Sequence, residues 1–250
     1  MMNITPVVKQ LLIINIIFFI GSQIPDTHAY DLFSEFYHEN PGFRIWQPLT
    51  SMFMHANVMH IAFNMFALYS FGSALEHFWG GKKFLFFYIS CGLGATLLNG
   101  LVNYYQYHHG LTLLQEANVS HDAIMAIVKE GKYDTKILDN VPLSTLEDMF
   151  SAFNSRTLGA SGAVYGLLVA FAFMFPNAQL GIMFIPIPFK AKYFVPGLLL
   201  IDLFLGFKGQ SIFGGGSTGI AHFAHIGGAI TGFIMMWFWK KNQFNKNRWN

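Results

Sequence analysis

The sequence predicts an all-α membrane protein, a polytopic bundle of six transmembrane helices forming one domain over residues 1–250. Three observations predict it. The composition is 53% hydrophobic and 11% charged, against about 25% charged in an average soluble domain. Its 28 Phe exceed what one compact soluble core would hold, and 15 basic plus 13 acidic side chains are too few to coat a water-facing surface. Six apolar stretches approach the roughly 20 residues a helix needs to cross a bilayer, and the charges between them segregate by sign. A soluble globule, a disordered chain and a DNA-binding domain are excluded, so no nucleic-acid partner is expected. The single cysteine, Cys91, excludes an intrachain disulfide.

The first stretch, 7–24, follows an n-region with one lysine and no small-residue cleavage pattern, so it reads as an uncleaved anchor. The second and third cover 54–79 and 83–105. The fourth, 157–175, opens on a glycine-rich turn. The fifth, 191–207, is the weakest, because Pro176, Pro186, Pro188 and Pro196 punctuate the region. The sixth, 219–239, ends in Met235, Met236, Trp237 and Trp239 before a lysine pair, which reads as an interfacial anchor.

With six alternating spans, Lys9, Lys82, Lys83, Lys190, Lys192, Lys240, Lys241, Lys246 and Arg248 fall on one side. The positive-inside rule makes that side the cytoplasm, with both termini cytoplasmic in a multi-pass protein of the inner (plasma) membrane. Two long segments, 25–52 and 106–155, are then external and acidic. The second is expected to hold an amphipathic helix around Ser120 to Glu130, and neither resembles a separate globular domain.

Ionisable groups inside spans cost a few kcal/mol each on insertion scales and are functional candidates by default. They cluster on three helices: His55, His60 and Asn64 on the second, Gly159-Ala160-Ser161-Gly162 with Tyr165 and Gly166 on the fourth, His222 and His225 on the sixth. All three helices enter from the outer side, and at about 1.5 Å per residue His60, Ser161 and His225 reach similar depth. The small-residue pairs Gly162/Gly166 and Gly228/Gly232 let the fourth and sixth helices approach closely. Serine is a poor nucleophile unless a general base takes its proton, and histidine titrates in the right range to do so. Tyr165 shares a face with Ser161 and can orient the imidazole. A serine at a helix N-terminus also offers its own N–H to a developing oxyanion. His60 and Asn64, at i and i+4, can add further donors. His55 and His222 read as structural, and Asp202 in the fifth span stays open between an inter-helix contact and a proton relay.

GASGAVYG in the fourth span, HxxxxHxxxN in the second and AHxxHxGG in the sixth resemble the rhomboid family of intramembrane serine proteases. The resemblance covers most of the chain. It implies Ser161 as nucleophile, His225 as general base, and His60, Asn64 and the Ser161 amide as oxyanion hole, with Gly159 shaping the turn and Gly162 and Tyr165 in support. It implies single-span transmembrane substrates cut near the outer membrane face, with no metal or cofactor. Two features depart from the bacterial pattern: Trp46-Gln47 in place of Trp-Arg, and the longer 106–155 segment. The rival readings are a catalytically silent rhomboid-like client-binding protein and a transporter using the histidines and Asp202. The glycine-rich stretch 207–219, with Phe207 and Phe213 as an apolar cap, is the expected gate.

Overall fold

The computed structural model describes residues 4–182, 185–208 and 220–244, and within them a helix runs through most of each of the six apolar stretches. α1 (Pro6–Ser22) starts with proline in its first turn, where no backbone hydrogen bond is lost. Its free N-terminal donors are taken by a carboxylate from another helix. Glu76 accepts from the Val7 and Val8 amides at 2.9 and 2.8 Å and from the Thr5 hydroxyl at 2.5 Å. Glu76 is buried, and the anion at a helix N-terminus is the favourable placement.

α2 (Val58–Trp79) is capped by the Asn57 side chain, which accepts from the His60 amide at 2.9 Å. Gly80, at φ +76°, turns the chain sharply into α3 (Gly81–Glu116). At 36 residues α3 is about 54 Å long, far beyond the roughly 30 Å hydrocarbon core of a bilayer. Its C-terminal turns run into the 106–155 segment, where α5 (Leu143–Asn154) packs on it and α4 (His121–Glu130) packs on α5.

The segment expected as a long external loop, 106–155, is therefore mostly helix. It carries a second hydrophobic core of Leu114, Ile124, Ile127, Val128, Val141, Leu146 and Met149, separate from the cluster of Val8, Leu68, Phe84, Phe87 and Leu167. Gly110 lets α5 come close, since a methyl there would stand 2.8 Å from the Met149 Cβ. The expected amphipathic helix is α4, capped by Ser120 and closed by Gly131 in the left-handed region at φ +66°.

α6 (Ser161–Met174), α7 (Ala191–Lys208) and α8 (Ile220–Phe244) complete the bundle. Two antiparallel strand pairs punctuate it. β1 (Glu35–Phe36) pairs with β2 (Arg156–Thr157), tying the 25–52 segment to the end of the 106–155 segment, and β3 (Gln179–Ile182) pairs with β4 (Ile185–Lys190) between α6 and α7. Of the prolines that make the fifth span weak, Pro186 and Pro188 fall in β4 and Pro176 before β3, outside α7; Pro196 alone lies within it.

Among the described residues, α2 and α3 are long and apolar enough to cross a membrane by length and hydropathy. α1 and α6 are apolar but shorter, at 17 and 14 residues.

Candidate active site

The approach to α6 is tied down before the helix begins. Glu35 faces Thr157 across the β1–β2 pair, Arg156 Nη2 reaches Asp31 at 2.9 Å, and the Gly159 amide donates to the Ser51 carbonyl at 2.9 Å. Gly159 sits at φ +126°, a conformation that side chains resist. Ser161 follows as the first residue of α6.

α8 brings the base. His225 Nε2 lies 2.8 Å from Ser161 Oγ, and the Tyr165 ring stacks on the imidazole at 4.3 Å between centroids with 9° between planes. Two helices reach this spacing because their backbones touch. A methyl on Gly228 would overlap the Gly162 carbonyl, and one on Gly232 would stand 2.8 Å from the Gly166 Cα. Gly162 also meets the Ala95 side chain of α3.

His225 Nδ1 lies 2.7 Å from Asp202 Oδ2 on α7, and His222 Nδ1 meets the other carboxylate oxygen. Asp202 and His222 are buried, while His225 is one-fifth exposed. The Tyr165 phenol also faces the Asp202 carboxylate. A carboxylate only accepts, so Nδ1 of His225 carries the proton and Nε2 keeps its lone pair toward the Ser161 hydroxyl. The inter-helix contact considered for Asp202 is thus made to the residue expected as the base. The signal was a lone carboxylate in an apolar span, but sequence does not say which helix it faces.

His60 lies opposite. A methyl built on Gly159 would stand 2.8 Å from His60 Nε2 and 3.5 Å from Ser161 Oγ, so these two atoms flank one small space above the Gly159 backbone. The His60 ring is held by the Ala56 amide, which donates to Nδ1 at 3.3 Å, and by the buried His55 ring, edge-on at 5.0 Å. With Nδ1 accepting, Nε2 carries a hydrogen toward that space. Asn64 is buried and turns its amide back onto the His60 carbonyl at 2.9 Å, steadying the turn of α2 that bears His60.

A cavity of about 350 Å³ opens beside Ser161 and His225. Its wall includes Phe150, Ser151 and Asn154 of α5, so the 106–155 segment helps to build the site. Phe207 is not part of that wall; it is 76% exposed and edge-on to Phe223 at 5.7 Å. Phe213 and most of the expected gate lie outside the described residues. Gln47, at the departure from Trp-Arg, is fully buried and bonds four backbone groups, the amides of Phe36 and Arg44 and the carbonyls of Asp31 and Gly42. A neutral side chain that both donates and accepts suits that position. Asp202, His222 and His225 also form a group whose potential metal-ligand atoms lie within 4.8 Å of one another.

The Rhomboid domain description matches residues 42–242. The chain belongs to the rhomboid family. It is 28% identical over 204 residues to RHOMBOID-like protein 12, mitochondrial, of Arabidopsis thaliana, covering 80% of this chain and 48% of that protein. It is 25% identical over 185 residues to the human presenilin-associated rhomboid-like protein, mitochondrial, covering 74% and 35%. A shorter match, 39% identical over 61 residues, links it to rhomboid protease AarA of Providencia stuartii, covering 24% and 22%. This rhomboid chain spans less than half the length of these relatives. Family membership makes it a membrane protein. The plasma membrane expected from charge alone gains no support from relatives named mitochondrial.

Proposed function

We propose that this rhomboid is an intramembrane serine endopeptidase that cuts single-span transmembrane proteins near the outer membrane face. The observation that carries the reading is the 2.8 Å contact between Ser161 Oγ and His225 Nε2, beside a space flanked by His60 Nε2. His225 takes the Ser161 proton as Oγ attacks the scissile carbonyl carbon. The resulting oxyanion occupies the space above Gly159, receiving hydrogen bonds from His60 and the Ser161 amide at the positive end of α6. His225 then protonates the leaving amine, and water releases the acyl group by the reverse sequence. Asn64 supports His60 in this scheme.

The topology that goes with it has six spans, α1, α2, α3, α6, α7 and α8, with the lysine-rich ends on the cytoplasmic side or its equivalent in an organelle. A helix in lipid bonds every carbonyl internally, so the substrate unwinds locally before attack, and Gly, Ala, Ser or Pro near the cut lowers that cost. The silent client-binding reading leaves the Ser161–His225 contact without a task. The test is cleavage of a single-span substrate in proteoliposomes. Ser161→Ala and His225→Ala are each expected to abolish it with the thermal midpoint retained; cleavage near the wild-type rate by either variant contradicts the reading.

A further inference from the structure

Asp202 is 1% exposed on an apolar helix, a placement that is costly unless the carboxylate is fully partnered. It has three partners from two other helices: His225 and His222 of α8 and Tyr165 of α6. Two of them, His225 and Tyr165, touch each other face to face, and His225 touches Ser161. We propose that Asp202 is a positioning residue for His225, so that the site works as a Ser161–His225–Asp202 triad completed only while α7 is docked against α8. The proposal rests on the protease reading above.

Neutral imidazole has two tautomers, and only the one protonated at Nδ1 leaves Nε2 able to accept the Ser161 proton. Asp202 Oδ2 selects that tautomer at 2.7 Å and sits beside the positive charge that the ring acquires during attack. His222 holds the other carboxylate oxygen, which fixes the plane the group presents to His225. This gives His222 a task in the site without contact to substrate.

The dependence on α7 follows from how each helix is held. α6 and α8 meet backbone to backbone at Gly162 and Gly228. α7 meets them through side chains, Val195, Leu198 and Leu199 against Leu168, Val169 and Ala229. Beside this contact lies an apolar cavity of about 470 Å³ lined by all three helices. Outward displacement of α7 would leave Ser161 and His225 paired and take Asp202 beyond the roughly 3.5 Å at which a hydrogen bond is lost.

The test uses the full chain in proteoliposomes, with Ser161→Ala as the inactive control. Asp202→Asn is expected to lower kcat by about 10²–10⁴-fold, as loss of the orienting carboxylate does in soluble serine proteases, with KM and thermal midpoint unchanged. Val195→Ala, which loosens α7 away from the catalytic groups, is expected to lower kcat by about threefold to tenfold in the wild type and by less than twofold on top of Asp202→Asn. If Ser161→Ala is inactive while Asp202→Asn keeps kcat within twofold, the triad is overturned and the protease reading stands. A fall in kcat accompanied by a lower thermal midpoint and raised KM makes Asp202 merely structural and also overturns it. Full additivity of the two variants overturns the dependence on α7. Loss of wild-type activity in chelator, restored by zinc, overturns the triad in favour of a metal site at Asp202, His222 and His225.

Discussion

α6 and α8 are joined by glycine backbones, whereas α7 leans on the same pair through side chains beside an apolar cavity. Ser161 and His225 sit on the seam whose spacing is fixed by direct contact of main chains. The Asp202 carboxylate sits on the helix held by side chains beside that cavity. For the proposed protease the difference separates two requirements of one site: a proton transfer that tolerates little change in distance, and access for a substrate helix that needs something to give way.

The largest expected effect tests the seam. Gly228→Val puts side-chain atoms into the Gly162 carbonyl, so α6 and α8 must part. Overpacking of this kind is expected to cost more than about 3 kcal/mol and to remove activity altogether. Gly197→Ala on α7 is the matched control, because a methyl there meets nothing within 4 Å. Alanine is the better helix former by up to about 1 kcal/mol, so the thermal midpoint should hold or rise slightly with cleavage intact. Equal tolerance of both substitutions would mean that the seam is not held by backbone contact.

A smaller effect is expected opposite the seam. His60→Ala removes the donor facing the space above Gly159, and kcat should fall by about 10²–10³-fold with little change in thermal midpoint. A variant that kept kcat and lost only stability would make His60 structural.

The smallest effect contrasts the helix bundle with the β1–β2 pair. Burial pushes the Glu35 carboxyl up to about 7, and one of its oxygens is buried without a hydrogen-bond partner. A carboxyl raised in the folded state binds its proton more tightly there than in the unfolded chain. Its contribution is therefore full below about pH 4.5 and is lost as pH rises through about 7. Hydrogen exchange at β1 and β2 should quicken between pH 5 and 8 beyond its intrinsic pH dependence, and Glu35→Gln should remove that excess. Greater protection at pH 8 than at pH 5 would reverse the sign and contradict the assignment.

The same contrast explains what was legible in the sequence. Ser161 and His225 stand out because polar groups in apolar helices are rare, and the glycines beside them announce a close approach that two helices then make. Asp202 was equally visible as an anomaly, yet its partners depend on how α7 is turned against α8, and no spacing along the chain encodes that angle. The external core was hidden for another reason. Leu114, Ile127, Leu146 and Met149 come from three segments, of which only the one around Ser120 to Glu130 shows an apolar face in the sequence, and their packing makes the core. Glu76 was unreadable as a cap because it serves a helix that begins some 70 residues earlier.

The most direct measurement is labelling of the detergent-solubilised protein with a fluorophosphonate probe, which reacts with a serine only when a neighbouring base activates it. Wild type should label at Ser161, with none in Ser161→Ala and at most slow labelling in His225→Ala. Undiminished labelling of Ser161→Ala, or a wild-type protein that remains unlabelled while folded, would contradict Ser161 and His225 as a working nucleophile and base.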